Sequence, residues 1–460
     1  MFELTGKKVL AIGLARTGLA TSLFCAKHGA IVTATDTRPE SDLAEAAATL
    51  RSGGTAVQLG GYTDKILDGQ ELVIPSPGVP ANSEILKAAR AQNIPVWSEI
   101  ELADRFLHGR LVGITGSNGK TTTTSLVEHI LKNSGLSTLL AGNIGTPLID
   151  VVEQTNDQTV TVAELSSFQL EWIETFRPNI SVFLNLTPDH LDRHGSMEAY
   201  GAAKARIFER QTASDFAVLN ADDPSSTPYA PSTPKVLWFS RKQRVAQGTF
   251  LRGEEILFRH HGEEEMILKQ SEIPLPGAHN LENVLAAVTA ARLIGARPRE
   301  IQKAVRSFKG VEHRLEFVAE LNGVRYYNDS KATNVDATLK ALDAFAGRIL
   351  IILGGKDKGS DYTVLQTPLS EKAILALLIG AAAQKIESQI SGSVAIERAG
   401  TIQRAVEIAS NTAQPGDIVL LAPACASFDQ FENYEHRGRV FKQLVRALEN
   451  HTANSAGGRG

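Results

Sequence analysis

The feature that most constrains the fold of this 460-residue chain is a short glycine-rich loop between a strand and a helix. Residues Arg110–Thr115 predict a strand, the segment GSNGKTT follows it, and an apolar stripe predicts a helix from Thr122 to about Asn133. A loop in this position gathers backbone N–H groups and a helix N-terminus around phosphate oxygens. The segment therefore predicts a phosphate-binding domain built on a mostly parallel sheet.

The side chains of this loop suit a bound nucleoside triphosphate. Lys120 offers a positive charge to the β- and γ-phosphates, and the hydroxyl of Thr121 is a ligand that Mg²⁺ accepts. The pattern departs from GxxxxGK[ST] at one place, because Ile114 stands where the first glycine is expected. The alternative, a helix N-terminus with an exposed lysine, does not explain why strand, glycines, lysine and threonine occur in this order.

A second strand, glycine-rich turn and helix stand at the start of the chain. The strand Lys8–Ile12 runs into GLARTGLATSLFCAKHG, and a second strand, Ala30–Thr35, is closed by Asp36. This β-α-β pattern is typical of dinucleotide-binding folds, but alanine replaces the middle glycine of GxGxxG. A nucleotide site and a tight turn without a ligand both remain open. A further strand, Glu71–Ile74, leads into the loop PSPGVP, at the edge where ligands of such sheets bind.

The third unit begins near Val311 and alternates strands with helical segments such as Thr401–Ser410. Its predicted strands are Arg348–Leu353, Ile374–Ile379 and Asp417–Leu421. This alternation predicts a small parallel sheet with crossover helices. At roughly 100–200 residues per domain the length also suggests three domains. We predict an α/β chain with domains at 1–96, 97–310 and 311–450, followed by a disordered tail at 451–460.

Composition excludes several classes of partner. The 47 Lys and Arg residues against 51 Asp and Glu give a net charge of −4, so no basic field favours nucleic acid or anionic membranes. The longest apolar run, 373–383, is shorter than the roughly 20 residues that span a bilayer. The N-terminus enters a strand without a secretory signal pattern. With only Cys25 and Cys425, a reduced cytosolic protein is expected.

Two groups of polar residues follow predicted strands of one sheet. Glu164 closes the strand Thr159–Ala163, where its carboxylate can reach a Mg²⁺ ion held by the nucleotide. The strand Ile180–Asn185 leads into TPDHLDRHG, which places His190 in a loop with two aspartates and a second histidine. Such clusters are often only solvated turns. Because parallel strands end at one edge of a sheet, we expect Glu164 and His190 near the phosphate loop.

Several further polar residues have a simple structural explanation as well as a functional one. Lys204, on a helix rich in alanine, would by default be a surface lysine. Asn280 and Asn283 stand at the start of a helix, where Asn280 can serve as a cap. In the third domain GVEHRLE offers Arg314. The segment NDSKAT has too many functional side chains for a simple turn, namely Asp329, Ser330, Lys331 and Thr333.

Taken together, these motifs resemble those of the Mur ligase family. The segments TGSNGKTT, AELSSFQLE, LTPDHLDRH, PGAHNLENVLAA, EHRLE and NDSKATN occur in the order and spacing of that family, from Leu4 to about Leu448. Within the family, GLARTG, ATDTR and LAPACASFDQFENYEHRG are similar to the members that add D-glutamate to UDP-N-acetylmuramoyl-L-alanine. No single motif decides the matter, but the combination is specific.

The resemblance implies a bacterial, cytoplasmic and monomeric enzyme of peptidoglycan precursor synthesis. ATP would phosphorylate the alanyl carboxylate, and the amine of D-glutamate would attack the acyl phosphate through a tetrahedral intermediate. The implied N-terminal domain is Rossmann-like and holds the UDP group, the central domain is a P-loop-type ATPase, and the C-terminal domain is Rossmann-like and binds the amino acid. The implied cofactors are ATP, two Mg²⁺ or Mn²⁺ ions and a carbamylated Lys204. Neither nucleic acid nor membrane insertion is implied.

The resemblance also assigns residues. The catalytic set is Lys120, Glu164, His190 and Lys204. The metal ligands are Thr121, Glu164, His190 and Lys204 as its carbamate. ATP is held by Gly116, Ser117, Asn118, Gly119, Lys120, Thr121, Thr122, Asn280, Asn283, Arg314, Asp329 and Lys331. The UDP substrate is held by Leu14, Ala15, Arg16, Thr17, Asp36, Thr37, Arg38 and Asn143. D-glutamate is held by Thr333, Lys358, Ser427, Phe428 and Tyr434.

Three other functions are compatible with part of these motifs. Folylpolyglutamate synthases, and Mur ligases that add L-alanine or a diamino acid, share the central motifs, so only the first and third domains discriminate. A regulatory nucleotide-binding protein without turnover would be expected to lack at least one of Glu164, His190, Lys204 and Lys331. A dehydrogenase built on the first β-α-β unit leaves GSNGKTT unexplained.

Overall fold

A computed structural model describes residues 2–357 and 359–456 and contains three sheets flanked by helices. The predicted α/β class is confirmed. The chain divides into two compact units. The first comprises the residues up to Ile273 together with Leu281–Ser307, and the second comprises Pro274–Asn280 together with the residues from Phe308 onward. Two of the three sheets lie in the first unit and the third lies in the second. The exact domain boundaries given above remain predictions.

The first sheet has four parallel strands in the order β3-β2-β1-β4. Its strands are β1 (Lys8–Ile12), β2 (Ile31–Asp36), β3 (Ala56–Leu59) and β4 (Leu72–Pro75). The helices of this region are α1 (Arg16–Lys27), α2 (Ala44–Ser52) and α3 (Glu84–Ala91). Because the strands are parallel, the loops that follow them meet at one edge of the sheet. The segment GLARTG lies at this edge.

The second sheet has nine strands in the order β13-β12-β11-β10-β9-β8-β5-β7-β6. They are β5 (Arg110–Thr115), β6 (Thr138–Gly142), β7 (Val160–Glu164), β8 (Ile180–Phe183), β9 (Phe216–Asn220), β10 (Lys235–Ser240), β11 (Gly248–Arg252), β12 (Glu255–His260) and β13 (Glu263–Lys269). Strands β5 to β11 are parallel, and β12 and β13 are antiparallel. The accompanying helices are α4 (Glu99–Asp104), α5 (Lys120–Asn133), α6 (Ser167–Leu170), α7 (Leu191–His194), α8 (Met197–Ala205), α9 (Ala278–Ile294) and α10 (Pro298–Ser307).

The third sheet, in the second unit, has six strands in the order β14-β15-β19-β16-β17-β18. Its strands are β14 (Glu316–Leu321), β15 (Val324–Asn328), β16 (Ile349–Gly354), β17 (Ala373–Ile379), β18 (Ile396–Gly400) and β19 (Ile418–Leu421). All pairs are parallel except β14 with β15. Its helices are α11 (Val335–Asp343), α12 (Gln366–Lys372), α13 (Ala383–Ile390), α14 (Ile402–Thr412) and α15 (Tyr434–Ala456). Of the tail predicted to be disordered, 451–456 belong to α15, and 457–460 lie outside the described residues.

The predicted elements agree with the observed ones to within two residues, and the differences have local causes. The strand predicted at Ile180–Asn185 ends at Phe183 as β8 because the backbone then serves the phosphate loop: the carbonyl of Asn185 accepts the N–H of Ser117 at 2.9 Å. The helix predicted from Thr122 begins at Lys120. Among the described residues, no helix is long and apolar enough to cross a membrane.

A fully buried carboxylate fastens helix α4 to the segment before β8. Oε2 of Glu101 accepts the backbone N–H groups of Glu174 at 2.8 Å, Thr175 at 2.9 Å and Phe176 at 2.8 Å. Oε1 accepts the Thr175 hydroxyl and Arg105 Nη2, each at 2.7 Å. A buried charge is tolerated only where its lone pairs are satisfied in this way. Glu101 therefore holds α4 against residues 174–176.

We expect Glu101→Gln to lower the free energy of unfolding by about 2–4 kcal/mol, because the amide removes the charge and aims N–H groups at backbone donors. Urea unfolding followed by circular dichroism measures this change. The matched control is Glu84→Gln, whose side chain is 84% exposed and which should change the unfolding free energy by less than about 0.5 kcal/mol. Equal stability of the two variants would contradict the role assigned to Glu101.

Candidate functional site

The phosphate loop runs from the end of β5, an interior strand of the second sheet, to the start of α5. Gly119 has φ +81°, and a Cβ there would lie 2.1 Å from Oδ1 of Asn283. At Gly116, with φ +150°, a Cβ would lie 2.9 Å from the Cβ of Leu184. Both positions thus require glycine. Because no side chain projects at these two positions, the backbone of the loop and the first turn of α5 are left as a surface that can bind phosphate.

Lys120, the first residue of α5, folds back over the loop. Its Nζ donates to the carbonyls of Gly116 at 2.8 Å and Ser117 at 2.9 Å. The positive charge is thereby held at the loop rather than released into solvent. This placement suits an ammonium that meets phosphate oxygens.

Glu164, at the end of β7, joins the phosphate loop to Asn143. Its Oε2 accepts the Thr121 hydroxyl at 2.8 Å, and its Oε1 accepts Nδ2 of Asn143 at 2.8 Å. The carboxylate is buried, with 3% of the residue exposed. The neighbouring positions of β5, β7 and β6 in the sheet bring these three residues together. The predicted proximity of Thr121 and Glu164 is therefore found in the structure.

The loop after β8 supports the phosphate loop through residues that the sequence reasoning missed. Oδ1 of Asn185 accepts the backbone N–H of Asn118 at 2.9 Å, and the Thr187 hydroxyl accepts Nδ2 of Asn118 at 3.0 Å. Ser117 Oγ donates to the Thr187 carbonyl at 3.0 Å. The only available signal was their place after β8, the strand adjacent to β5.

The two histidines of the TPDHLDRH segment have different environments. His190 adopts a left-handed conformation with φ +51°, its side chain is 48% exposed, and its ring lies 4.8 Å from that of Phe168. His194 is 5% exposed, its Nε2 lies 3.0 Å from Ser167 Oγ, and Glu171 is 3.6 Å from its Nδ1. Burial lowers the pKa of His194, against the opposing effect of Glu171. Only His190 offers an accessible imidazole.

Lys204, at the end of α8, is not a surface lysine. Only 1% of the residue is exposed, and its Nζ donates to the carbonyl of Gly116 at 2.8 Å. The same Nζ lies 4.5 Å from the ring centroid of Tyr200. Burial, followed by the charge of Lys120, holds the pKa of Lys204 well below its usual value. The structure therefore places a lysine with suppressed basicity directly beneath the phosphate loop.

The residues predicted to hold Mg²⁺ have a donor set that fits that ion. A hydroxyl and a carboxylate, Thr121 and Glu164, lie in hydrogen-bond contact beside the phosphate loop. Mg²⁺ favours such oxygen donors, one or two carboxylates being completed by substrate phosphates and water. Within residues 2–357 and 359–456, no group of three or more His, Cys, Asp or Glu side chains could hold a metal ion by itself.

A cavity of about 550 Å³ opens at the loop edge of the first sheet. Of the eight residues predicted to hold the UDP substrate, seven line it: Ala15, Arg16, Thr17, Asp36, Thr37, Arg38 and Asn143. The eighth, Leu14, is buried and donates its N–H to Oδ2 of Asp36 at 2.7 Å. The PSPGVP loop, which was predicted to lie at the ligand-binding edge, also lines the cavity, as does Tyr62, which was not predicted. GLARTG is thus part of a cavity rather than only a tight turn.

Asp36 organises the cavity edge. Arg38 donates to Asp36 through Nη2 at 2.8 Å and Nε at 3.1 Å. Burial raises the pKa of Asp36, but the hydrogen bonds from Arg38 and Leu14 outweigh it and lower the value to about 2. The carboxylate is therefore ionised at neutral pH and holds the Arg38 guanidinium beside the cavity.

In the second unit, the NDSKAT segment follows β15. Burial raises the pKa of Asp329 to about 7, with Arg314 acting in the opposite direction. The Nζ of Lys331 lies 4.0 Å from the ring centroid of Tyr434, the first residue of α15. Four predicted ATP- and amino-acid-binding residues, Arg314, Asp329, Lys331 and Tyr434, thus lie around one segment of this unit.

A buried arginine that the sequence reasoning missed ties this segment to the loop after β19. Arg437, on α15, is fully buried and donates through Nε to Ser330 Oγ at 2.9 Å and through Nη2 to the Ser330 carbonyl at 2.9 Å. Both Nη1 and Nη2 lie 3.2 Å from the Cys425 carbonyl. Burial lowers its pKa to about 10, so it stays charged. The arginine stands inside the quoted segment NYEHRG, but only burial sets it apart.

The remaining predicted amino-acid ligands are dispersed around the same segments. Ser427 is buried and Phe428 is 65% exposed, two and three residues after Cys425. Thr333 donates its backbone N–H to the carbonyl of Lys331 at 2.8 Å. Lys358 lies outside the described residues.

The two asparagines of helix α9 fall in different compact units. Asn283, in the first unit, accepts the Thr123 hydroxyl through its Oδ1 at 3.3 Å and borders Gly119 of the phosphate loop. Asn280, in the second, donates its Nδ2 to the carbonyl of Pro276 at 2.6 Å. The latter contact agrees with a structural role at the start of the helix.

Three family models match successive parts of the chain: a Mur ligase MurD-like N-terminal domain at 7–98, a Mur ligase middle domain at 114–291 and a Mur ligase glutamate ligase domain at 313–425. Proteins named UDP-N-acetylmuramoylalanine--D-glutamate ligase from Koribacter versatilis and Acidobacterium capsulatum are each 52% identical to it, over 97% of this chain and 98% and 97% of theirs. The chain belongs to the Mur ligase family. The resemblance seen in its motifs is confirmed.

Solved Mur ligase structures share the fold. A MurF ligase from Thermotoga maritima in complex with ADP superposes with a TM-score of 0.59 at 16% identity, covering 97% of this chain and all of that one. The UDP-N-acetylmuramate-alanine ligase MurC of Thermotoga maritima gives 0.58 at 18% identity, covering 96% and 99%. At these identities only the fold is shown. It confirms the predicted three-domain α/β Mur ligase architecture.

Membership of the Mur ligase family also settles the class of reaction. An ATP-dependent ligase of peptidoglycan synthesis, as predicted, is confirmed. ATP and Mg²⁺ are the cofactors that this family uses. The dehydrogenase alternative is excluded, because its β-α-β unit is the N-terminal domain of a Mur ligase.

Proposed function

We propose that this Mur ligase joins D-glutamate to UDP-N-acetylmuramoyl-L-alanine, forming an amide bond, ADP and phosphate. Relatives that carry the corresponding name align over 97% of the chain. The structural observation that carries the proposal is Glu164, which contacts the phosphate loop through Thr121 and the substrate cavity through Asn143. A carboxylate so placed lies where a nucleotide phosphate and a UDP-linked carboxylate would meet.

The order of the reaction steps follows from the chemistry of the alanyl carboxylate and of the D-glutamate amine. A carboxylate is a poor electrophile until one oxygen becomes part of a leaving group. The alanyl carboxylate oxygen attacks the γ-phosphorus of ATP, the bond to ADP breaks, and an acyl phosphate forms. The neutral amine of D-glutamate then adds to the carbonyl carbon. The tetrahedral intermediate collapses with loss of phosphate, and the amine proton passes to solvent or to phosphate.

The chain contributes mainly position and charge. The phosphate loop and Lys120 hold the triphosphate, and their fixed donors reduce the reorganisation needed as charge moves. Thr121, Glu164, His190 and the carbamate of Lys204 would hold two Mg²⁺ ions, for which Mn²⁺ can substitute. When bound, these ions would neutralise the negative charge of the phosphate oxygens. Asn283 would support the loop at Gly119.

The buried state of Lys204 supports its carbamylation. Carbamate formation joins the lysine nitrogen to carbon dioxide and releases a proton, so it requires the neutral amine. Burial favours that neutral form, because it holds the pKa of Lys204 below its usual value. The product is an anion that can ligate Mg²⁺, whereas an ammonium beside Lys120 is repelled.

The second unit would supply the remaining contacts. Asn280, Arg314, Asp329 and Lys331 are proposed to complete the ATP site. Thr333, Lys358, Ser427, Phe428 and Tyr434 are proposed to hold D-glutamate, with the lysine on its side-chain carboxylate. Asp329, Lys331 and Thr333 follow β15, and Ser427 and Phe428 follow β19, its neighbour in the sheet, which supports a ligand site at this edge. We further propose that the enzyme is monomeric and acts in the bacterial cytoplasm on soluble substrates.

Release of phosphate from ATP tests the proposal directly. With UDP-N-acetylmuramoyl-L-alanine present, we expect release that depends on D-glutamate and is absent with L-glutamate, L-lysine or meso-diaminopimelate. Omission of the UDP substrate is the control for uncoupled ATP hydrolysis. Dependence on another amino acid would leave the central chemistry intact and overturn the roles of Lys358 and Ser427. No release with any of them would favour a different acceptor or a nucleotide-binding protein without turnover.

A further inference from the structure

Tyr62 is an aromatic side chain at the mouth of the substrate cavity that the site residues above leave without a role. It lines the cavity and is 39% exposed, although large apolar surfaces are usually covered. It follows strand β3 and two glycines, Gly60 and Gly61. An exposed aromatic ring in the wall of a ligand cavity is the kind of surface on which a planar ligand stacks.

The loop that carries Tyr62 is anchored to the acidic end of β2. The N–H of Gly60 donates to the Arg38 carbonyl at 2.9 Å, and that of Gly61 donates to the Asp36 carbonyl at 3.3 Å. Both glycines have positive φ, +77° and +119°, and a Cβ on either would meet nothing within 4 Å. Glycine is therefore favoured at these two positions by the positive φ angles of the backbone and not by close packing. It turns the chain so that Tyr62 faces the cavity.

The strand order shows which residues lie at each end of the cavity. The loops at the sheet edge follow the order β3, β2, β1, β4, so Tyr62 and Asp36 lie on one side of the cavity. Asn143 of the second sheet also lines the cavity. Phosphates belong at the N-terminus of α1, at Arg16 and Thr17, after β1. Tyr62 lies two strands away, roughly 10 Å at the usual strand spacing. A nucleoside attached to those phosphates spans that distance.

We propose that Tyr62 stacks on the uracil base of the UDP-linked substrate and is a specificity-determining residue of this cavity. The inference rests on the proposed function, since it takes the occupant to be a uridine nucleotide. Aromatic stacking does not read the hydrogen-bonding edge of a base, so Tyr62 supplies affinity for a planar ring. Thr37 and Arg38 are left to contact the edge of that ring or its ribose. The N-terminal cavity thus distinguishes a nucleotide from a sugar phosphate.

Binding of UDP and of pyrophosphate, a ligand without a base, separates stacking from a structural role. Isothermal titration would use the full chain with a non-hydrolysable ATP analogue occupying the phosphate loop. We expect Tyr62→Ala to weaken UDP binding roughly 5- to 100-fold and to leave pyrophosphate binding unchanged. Tyr62→Phe should retain UDP affinity within about twofold, because it keeps the ring. Phe317→Ala, at a 50% exposed aromatic of the second unit, is the matched control and should match wild type.

A tryptophan at the same position gives an independent signal. We expect Tyr62→Trp to bind UDP and to show fluorescence quenching with UDP but not with pyrophosphate. Unchanged UDP affinity in Tyr62→Ala would overturn the stacking role, and so would an equal loss of affinity for UDP and pyrophosphate. In either case, D-glutamate-dependent phosphate release by the wild-type enzyme would still support the proposed function. Absence of UDP binding by the wild-type chain would overturn both.

Discussion

Replacing Lys204 with alanine should reduce D-glutamate-dependent phosphate release on the order of a thousandfold, and added formate or acetate should restore part of it. The loss is expected because alanine leaves no group that can become an anionic ligand beside Glu164. A small carboxylate can enter the space vacated by the side chain and supply the missing negative charge. Measuring initial rates across a series of carboxylate concentrations at fixed ionic strength checks both parts.

A second variant separates carbamylation from simple loss of a cation. Lys204→Arg keeps a positive charge but offers no amine that forms a carbamate, so it should be as inactive as the alanine variant. Lys303→Ala, at an exposed lysine of the same unit, is the control and should retain wild-type rates. Wild-type turnover by Lys204→Ala without any added carboxylate would eliminate the carbamate assignment.

Lys120→Ala should lower kcat roughly a thousandfold or more while binding of UDP stays unchanged. The ammonium is held at the loop by the carbonyls of Gly116 and Ser117 and meets the transferred phosphoryl group, where charge is greatest in the transition state. The UDP cavity is lined by other residues, so its affinity reports whether the first unit remains folded. Steady-state phosphate release and UDP titration together measure the two effects.

The same helix provides the matched control for this prediction. Lys132 lies in the last turn of α5, is 56% exposed and pairs with Glu128 four residues earlier. Lys132→Ala should change kcat by less than about twofold, because exposed pairs of this kind contribute little. A loss of UDP binding in Lys120→Ala equal to its loss of turnover would instead indicate a collapsed unit and not a phosphate ligand.

The local sequence was sufficient to predict a site residue wherever the functional side chains and the backbone that positions them are close together in the chain. The phosphate loop could be predicted because its glycines, lysine and threonine are adjacent in the chain and lie between a strand and a helix. Glu164 could be placed beside Thr121 because parallel strands deliver their ends to one edge. In both cases the order of strands and loops in the sequence is enough to predict which side chains lie close together.

Residues whose role depends on distant packing were not predictable in this way. From the residues alone, Lys204 is indistinguishable from a surface lysine on an alanine-rich helix, and its burial arises only when α8 packs beneath the phosphate loop. Thr187 supports a loop 70 residues earlier through its hydroxyl and carbonyl, with no motif of its own. Tyr62 lies in a turn whose direction depends on hydrogen bonds to β2. Such positions are determined by tertiary contacts rather than by spacing.

The hydrogen bonds of Arg437 also bear on how the protein is synthesised. This residue lies on α15, downstream of its partners Ser330 and Cys425, so it leaves the ribosome after both of them. Until α15 docks, the carbonyls that Arg437 satisfies have no such partner, and burying them unpaired is costly. The C-terminal sheet therefore matures late, after translation of its last helix. A prematurely terminated chain that lacks α15 would keep an intact phosphate loop but could not complete the loops that follow β15 and β19.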